Sequence, residues 1–348
     1  MNVAGVLCAL TAAALFGLST PLAKLLVGAI DPWLLAGLFY LGSGLGLAVL
    51  RWTLARTRAP AEAALTRRDL PWLAAAIVVG GVIGPILLML GLARTPGATA
   101  SLLLTLEGAA TALIAWFAFG ENFDRRIAAG MLCILAGAAV LSWQGNASLA
   151  GWVGPAAVAG ACIAWGLDNN LTRRIALADP LQIAMLKGLA AGPVSLVLAF
   201  AHGAALPGAG TAAAAGLVGF FGYGVSLVLF VVALRHLGTA RTGAYFSIAP
   251  FLGAAAAIPL LGEALSVRLL AAGALMGVGI WLHLTERHAH GHEHAPLDHD
   301  HRHLHDEHHR HDHAAGDPAG EPHSHRHVHG RLRHAHAHLP DSHHRHTH

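Results

Sequence analysis

The sequence predicts an all-α integral membrane protein: ten transmembrane helices as two inverted five-helix repeats, followed by a disordered His-rich C-terminal tail. Three observations predict it. The first 286 residues hold only 10 carboxylates and 15 Lys or Arg, mostly between apolar runs of about 20 residues, which is long enough to cross a bilayer as helix. Landmarks of the first half recur in order in the second. Beyond Glu286 lie 23 of the 26 histidines, in a stretch too polar to bury a core.

The apolar segments run roughly 3–27, 32–50, 71–93, 97–119, 127–143, 149–168, 180–201, 212–234, 239–261 and 267–285. Short Gly, Pro or charged connections separate them, such as Gly28-Ala29-Ile30-Asp31-Pro32 and Ala178-Asp179-Pro180. A helix closes its own backbone hydrogen bonds and so can sit in lipid; two Ala-rich soluble domains would not need such runs. The first segment has no basic n-region and no small-residue cleavage site, so it is expected to be retained rather than removed as a signal peptide. Cys8, Cys133 and Cys162 fall inside apolar segments, which favours core packing over a disulfide framework.

Orientation follows from the short loops. Alternate connections place Arg51, Arg56, Arg58, Arg67, Arg68, Arg125, Arg126, Arg173, Arg174, Arg235 and Arg241 on one side, against Arg94, Arg268 and Lys24 on the other. The rich side is predicted to be cytoplasmic. Ten crossings then put both the N- and C-termini there, and the tail with them.

Internal similarity carries the architecture further. Phe16-Gly17-Leu18-Ser19-Thr20-Pro21-Leu22-Ala23-Lys24 in segment one matches Trp165-Gly166-Leu167-Asp168-Asn169-Asn170-Leu171-Thr172-Arg173 in segment six, with aromatic, Gly, Leu, Leu and base in register. Each is followed by Asp-Pro, at Asp31-Pro32 and Asp179-Pro180. Gly120-Glu121 and Gly262-Glu263 close segments four and nine, 142 residues apart, and Gly91-Leu92 matches Ala233-Leu234 at the same offset. Ala128-Ala129-Gly130 resembles Ala271-Ala272-Gly273. Each match is weak in so Ala- and Gly-rich a chain, but together and in order they argue for one unit used twice. An odd number of helices per unit turns the second copy upside down, the arrangement that lets a midplane site open to each side in turn.

On these residues the chain resembles the drug/metabolite transporter superfamily, and within it the EamA-type ten-helix carriers, over residues 1 to about 285. The aromatic-Gly signatures, the paired Gly-Glu and Pro250 in segment nine carry the resemblance. The first half departs from it, since the position corresponding to Pro250 falls near Glu107-Gly108. The implied domains are 1–145 and 146–286, each an EamA-type five-helix repeat, with 287–348 as tail. The resemblance implies an inner (plasma) membrane carrier, an exporter of small metabolites or toxic compounds driven by an ion gradient; it names no substrate.

An ionisable group at the centre of a membrane helix costs on the order of 2.5 to 3.5 kcal/mol by insertion scales, so each calls for a reason. Glu107 stands in Leu102-Leu103-Leu104-Thr105-Leu106-Glu107-Gly108-Ala109, with no charge for a dozen residues on either side. It is the candidate coupling or substrate-binding carboxylate, carrying a proton one way and releasing it when substrate binds; the plainer alternative is a structural hydrogen bond or ion pair. Lys187 is its natural opposite charge, expected to pair with Glu107 in one state or to attract an anionic group, with snorkelling to the interface as the alternative. Asp168, Asn169 and Asn170 either line the cavity or mark a helix end. Trp165 and Phe16 are candidate cavity walls, against packing or interface anchoring.

Other residues read as structural. Glu121 and Glu263 are expected to cap or pin a connection, and His202, His236 and His283 receive no site. Pro85 and Pro250 lack a backbone donor and should loosen their helices. Gly80, Gly81 and Gly84, and Gly219, Gly222 and Gly224, permit close helix approach. Gly273 and Gly277 form a GxxxG that offers a packing or homodimer face.

No P-loop, no HExxH and no Ser-His-Asp set stands in a loop. The chain is therefore not expected to be an enzyme or to require a cofactor. The arginines between segments two and three are explained by topology rather than by nucleic acid; the partners are the lipid bilayer and a small-molecule or metal-ion substrate.

In the tail, 7 Arg nearly cancel 9 carboxylates, so histidine sets its charge, which swings positive on mild acidification. Alternation as in His299-Asp300-His301-Arg302-His303-Leu304-His305 places imidazoles on one side of an extended chain, close enough to share an ion. Neutral imidazole suits Zn, Ni, Co or Cu. His292, His294, His299, His301, His303, His305, His308, His309, His311 and His313 are the candidate ligands, acting as a buffer of several exchanging ions. Three functional classes result: a proton-coupled exporter of organic compounds; a divalent metal efflux carrier for nickel, cobalt or zinc, with the tail as ion collector; and a membrane-anchored metal buffer or sensor without transport. The membrane core's thin set of His, Cys and carboxylates weighs against the second.

Overall fold

The computed structural model describes residues 3–55, 65–119, 125–143, 149–175 and 178–284, with four short backbone stretches of the tail; over 234–241 it describes the backbone. The membrane part is all helical. Its elements are α1 (Val3–Val27), α2 (Pro32–Ala55), α3 (Leu70–Ala76), α4 (Gly84–Arg94), α5 (Gly97–Leu103), α6 (Leu106–Phe119), α7 (Arg125–Ser142), α8 (Leu149–Arg173), α9 (Pro180–Ala201), α10 (Ala209–Gly219), α11 (Ser226–Phe246), α12 (Ala249–Leu261) and α13 (Val267–Leu284). π-helical segments, Ile77–Ile83 and Phe220–Val225, join α3 to α4 and α10 to α11.

Both Asp-Pro dipeptides begin helices. Asp31 Oδ1 accepts from the Trp33 and Leu34 N–H groups, and Asp179 Oδ1 from those of Leu181 and Gln182. The carboxylate thus satisfies donors that the first turn cannot, while Pro at the first position gives up none. Arg51, near the end of α2, pairs with Asp179 and ties α2 to the start of α9.

By length and composition seven helices can cross a bilayer: Val3–Val27, Pro32–Leu54, Leu70–Arg94, Gly97–Ala118, Arg125–Ser142, Pro180–Ala201 and Ala209–Ala233. The other predicted segments are the 25-residue α8, which carries Asp168, Asn169 and Asn170, and the shorter apolar helices Ala249–Leu261 and Val267–Leu282. Trp52, Trp72, Trp116, Trp143, Trp152 and Trp281 are exposed and lie within three residues of a helix end, where an amphipathic ring suits the membrane–water boundary.

Two interruptions depart from the predicted segments, and both have backbone causes. Segment four breaks at Leu104–Thr105 into α5 and α6, with the Thr105 and Glu107 N–H groups bonding three residues back, to Leu102 and Leu104. Segments eight and nine do not part at 234–239, because α11 runs on to Phe246; the break falls at Ser247–Ile248. Pro250, expected within segment nine, stands instead in the first turn of α12, where its missing N–H costs nothing.

These irregularities repeat. The π segments begin 143 residues apart, at Ile77 and Phe220, and the two breaks are also 143 apart, at Leu104 and Ser247. At the π segments Gly84 N–H donates to Val79 and Ser226 N–H to Phe221, each five residues back. Packing is exchanged between the halves in the same way: α1 lies against α11 and α12, while α8 lies against α4 and α6; α2 pairs with α9 and α7 with α13.

Small residues set the close approaches. A Cβ on Gly44 would fall 2.5 Å from the Leu189 nitrogen and one on Gly188 2.5 Å from the Gly44 nitrogen, so α2 and α9 touch backbone to backbone. Between α7 and α13 the tight residue is Gly279, 2.6 Å from the Gly130 carbonyl oxygen on the same measure. Gly273 and Gly277, predicted as the close face, meet only side chains at 3.5 and 3.9 Å.

In the tail, Ala289–His294 pairs antiparallel with Leu332–Ala337, and Leu297–His303 with His323–His329. The expectation of a disordered tail falls mostly on residues outside the described ones. His305, His308, His309, His311 and His313 lie outside the described residues, as do the side chains of His292, His294, His299, His301 and His303.

Candidate functional site

The site forms where the first π segment meets α2, α8 and α9. Because Gly84 donates to Val79 and Pro85 has no N–H, the Gly80 carbonyl loses both its α- and its π-type backbone partners. Two side chains replace them: Tyr40 Oη donates to it at 2.8 Å and Trp165 Nε1 at 2.9 Å. A buried carbonyl left without partners would carry a desolvation penalty of about 1–3 kcal/mol, so the pair fixes α2 and α8 around the irregular turn. Only glycine fits there, since a Cβ on residue 80 would stand 2.1 Å from Asp168 Oδ2.

Asp168 is buried and ion-paired. Both its oxygens lie 2.7 Å from Lys187 Nζ, with side chains 10% and 8% exposed, and Thr172 Oγ1 lies 2.9 Å from Asp168 Oδ1 and 3.3 Å from Lys187 Nζ. The pair links α8 to α9. In this state Lys187 pairs with Asp168 and not with Glu107, and its ammonium is buried rather than snorkelled to the interface. Asp168 and Asn170 are buried in the last two turns of α8, which ends at Arg173, and Asn169 between them is exposed.

Glu107 is half-buried in the first turn of α6, 143 residues before Pro250 in the first turn of α12. This is the departure between the halves that the sequence located. Its Oε1 accepts from Asn169 Nδ2 at 2.9 Å, and among the described residues no cation pairs with it. Asn169, exposed, also reaches Thr111 Oγ1 at 3.2 Å, while Asn170 Nδ2 donates to the Thr111 and Gly166 carbonyls. The N-terminal end of a helix favours a carboxylate through the aligned peptide dipoles. An amide donor serves Glu107 in either protonation state, because carboxylate and carboxylic acid both keep an acceptor oxygen.

Trp165 precedes Asn169 by one helical turn, on the same face of α8. Its ring lies 6.3 Å from Phe16 and 6.5 Å from Tyr223, and Phe16 lies 5.9 Å from Tyr223 and 5.5 Å from Phe246. Tyr223 stands in the second π segment and also meets Phe39 and Tyr40, each at 5.6 Å. Phe16, Tyr223 and Phe246 are half-buried, Trp165 buried.

Of the predicted site residues, the structure joins Glu107 to Asn169, Asp168 to Lys187, and Phe16 to Trp165. Sequence reasoning missed Tyr40, Thr111, Tyr223 and Phe246, and read Gly80 only as a point of close helix approach. Signals existed for some: the chain has only 3 tyrosines, Thr111 follows Glu107 by one turn, and Tyr223 stands one repeat offset of 143 from Gly80. Glu263 does cap, but across the bundle, accepting from the Gly97 and Ala98 N–H groups at the start of α5; Glu121 lies outside the described residues. Cys162 is buried and no disulfide forms among the described residues. Nor do those residues contain a group of three His, Cys, Asp or Glu able to hold a metal.

The model of the EamA-like transporter family matches residues 3–143 and 152–285. An uncharacterized transporter of Methanothermobacter thermautotrophicus is 27% identical over 293 residues, 80% of this chain and 85% of that protein. A protein crystal structure of 23% identity superposes with a TM-score of 0.60, covering 80% of this chain and 95% of its own, and shares the fold.

Proposed function

From membership of the EamA-like transporter family, to which this chain belongs, we propose that it is a proton-coupled exporter of small metabolites or toxic compounds, working by alternating access through Glu107. The observation that carries the coupling role is the contrast between two carboxylates. Asp168 is held by an ammonium and a hydroxyl, whereas Glu107 has an amide partner and no described cation. A charge already paired is structural by default; one left unpaired in a membrane helix is free to exchange a proton against substrate.

Alternating access rests on two inverted five-helix halves and ten crossings. The two matched stretches of the family model, the π segments and helix breaks repeated at 143 residues, and the exchanged packing of α1 and α8 support that arrangement. The Arg-rich loops support cytoplasmic termini in a plasma membrane. The tail adds a second role, binding Zn, Ni, Co or Cu at the cytoplasmic mouth, which its 23 histidines support.

The test reconstitutes the full chain in liposomes and offers cationic, anionic and neutral organic solutes under a proton gradient. Wild type drives at least one of them; Glu107→Gln loses the gradient-driven movement but keeps solute-for-solute exchange. Wild type inert across all three classes would contradict transport, and Glu107→Gln retaining full drive would contradict the coupling role.

A further inference from the structure

We propose that the substrate class is organic cations with an aromatic or apolar body, taken at Glu107 and at the aromatic group of Phe16, Trp165, Tyr223 and Phe246, which its partner Asn169 adjoins one turn along α8. This rests on the transport reading of Glu107 and adds the sign of the substrate's charge. Lys187 neutralises Asp168 through both oxygens, whereas half-buried Glu107 has no cation paired with it among the described residues. An anionic solute placed there would meet like charge in a medium of low dielectric, and a neutral one would leave the charge uncompensated. A cation replaces the proton one for one.

The neighbouring surface fits such a body. Asn169, the partner of Glu107, lies one turn from Trp165, which contacts Phe16 and Tyr223, with Phe246 completing the group. The faces of these rings carry negative potential and attract a cation held within about 6 Å. The halves contribute differently: Glu107 and Phe16 come from the first, Trp165, Tyr223 and Phe246 from the second. A cation bound here therefore touches both bodies whose relative motion alternating access requires.

The test measures binding of tetraphenylphosphonium and benzyltrimethylammonium to the full chain in lipid nanodiscs, with tetraphenylborate as the control of opposite charge. At least one cation binds, tetraphenylborate does not displace it, and acidification weakens it as protons compete. Glu107→Gln weakens it at least about tenfold, as expected for a lost desolvated charge partner, and Tyr223→Leu by about three- to thirtyfold. Thermal unfolding of both variants near the wild-type temperature separates lost affinity from lost fold. Tetraphenylborate binding more tightly than either cation, unchanged cation affinity in folded Glu107→Gln, or no cation binding by folded wild type overturns the inference. If that same protein still moves an anionic or neutral solute under a proton gradient, transport stands and only the charge class falls; if it moves nothing, both fall.

Discussion

Lys187→Met should destabilise the protein by about 3–5 kcal/mol, the cost of leaving one member of a buried ion pair without its partner. The structure puts the pair in that regime. Nζ stands 2.7 Å from both Asp168 oxygens and 3.3 Å from Thr172 Oγ1, with both side chains about nine-tenths buried. After the substitution Thr172 is the one described side-chain donor left to Asp168. Asp168→Leu should cost a similar amount, since it strands the ammonium. The double variant, Asp168→Leu with Lys187→Met, removes both charges together and should return to within about 1–2 kcal/mol of wild type, because a buried pair and a hydrophobic pair of similar volume are nearly equivalent. Equilibrium unfolding of the full chain in mixed micelles, followed by circular dichroism, measures all four species as a double-mutant cycle. Single variants that each lose under about 1 kcal/mol, as an exposed pair would, or a double variant as unstable as the sum of the singles, would refute the argument.

Other outcomes follow from the same geometry. Gly80→Ala should cost at least about 1–3 kcal/mol, the range for overpacking, because its Cβ meets Asp168 at 2.1 Å; Gly243→Ala in α11, with nothing within 4 Å, should gain about 0.5–1 kcal/mol. Both are read by the same unfolding assay. Glu263→Ala removes the acceptor of two backbone donors at the start of α5 and should lose about 0.5–2 kcal/mol, with faster amide exchange at Gly97 and Ala98. Equilibrium dialysis against zinc or nickel should find several ions on the full chain and almost none on a chain ending at Arg287; equal binding by the two would place the ions outside the tail.

Much of the fold is legible because a membrane permits so few backbone solutions. Apolar runs of spanning length, Asp-Pro caps and recurring Gly-Glu pairs point to helices and to their order. The interruptions are harder to see. Nothing in Ile77-Val78-Val79-Gly80 announces a π segment, which depends on Pro85 withholding a donor and on Tyr40 and Trp165 arriving from 40 and 85 residues away. The break at Leu104–Thr105 is equally hidden, although Glu107 beside it is conspicuous as a lone charge. The pairing of Lys187 with Asp168 is hidden for a geometric reason: Lys187 and Glu107 are the isolated charges in sequence, but Asp168, placed near an apparent helix end, is carried inward by a helix that continues to Arg173. Aromatic residues in apolar segments look alike until packing brings Phe16, Trp165 and Tyr223 together.

The most direct test of the central claim is proton release on substrate binding. Purified protein in weakly buffered detergent, mixed with a transported solute in the presence of a pH indicator dye, should release protons in wild type and none in folded Glu107→Gln. Equal release from both proteins would contradict the assignment of Glu107 as the group that exchanges its proton for substrate.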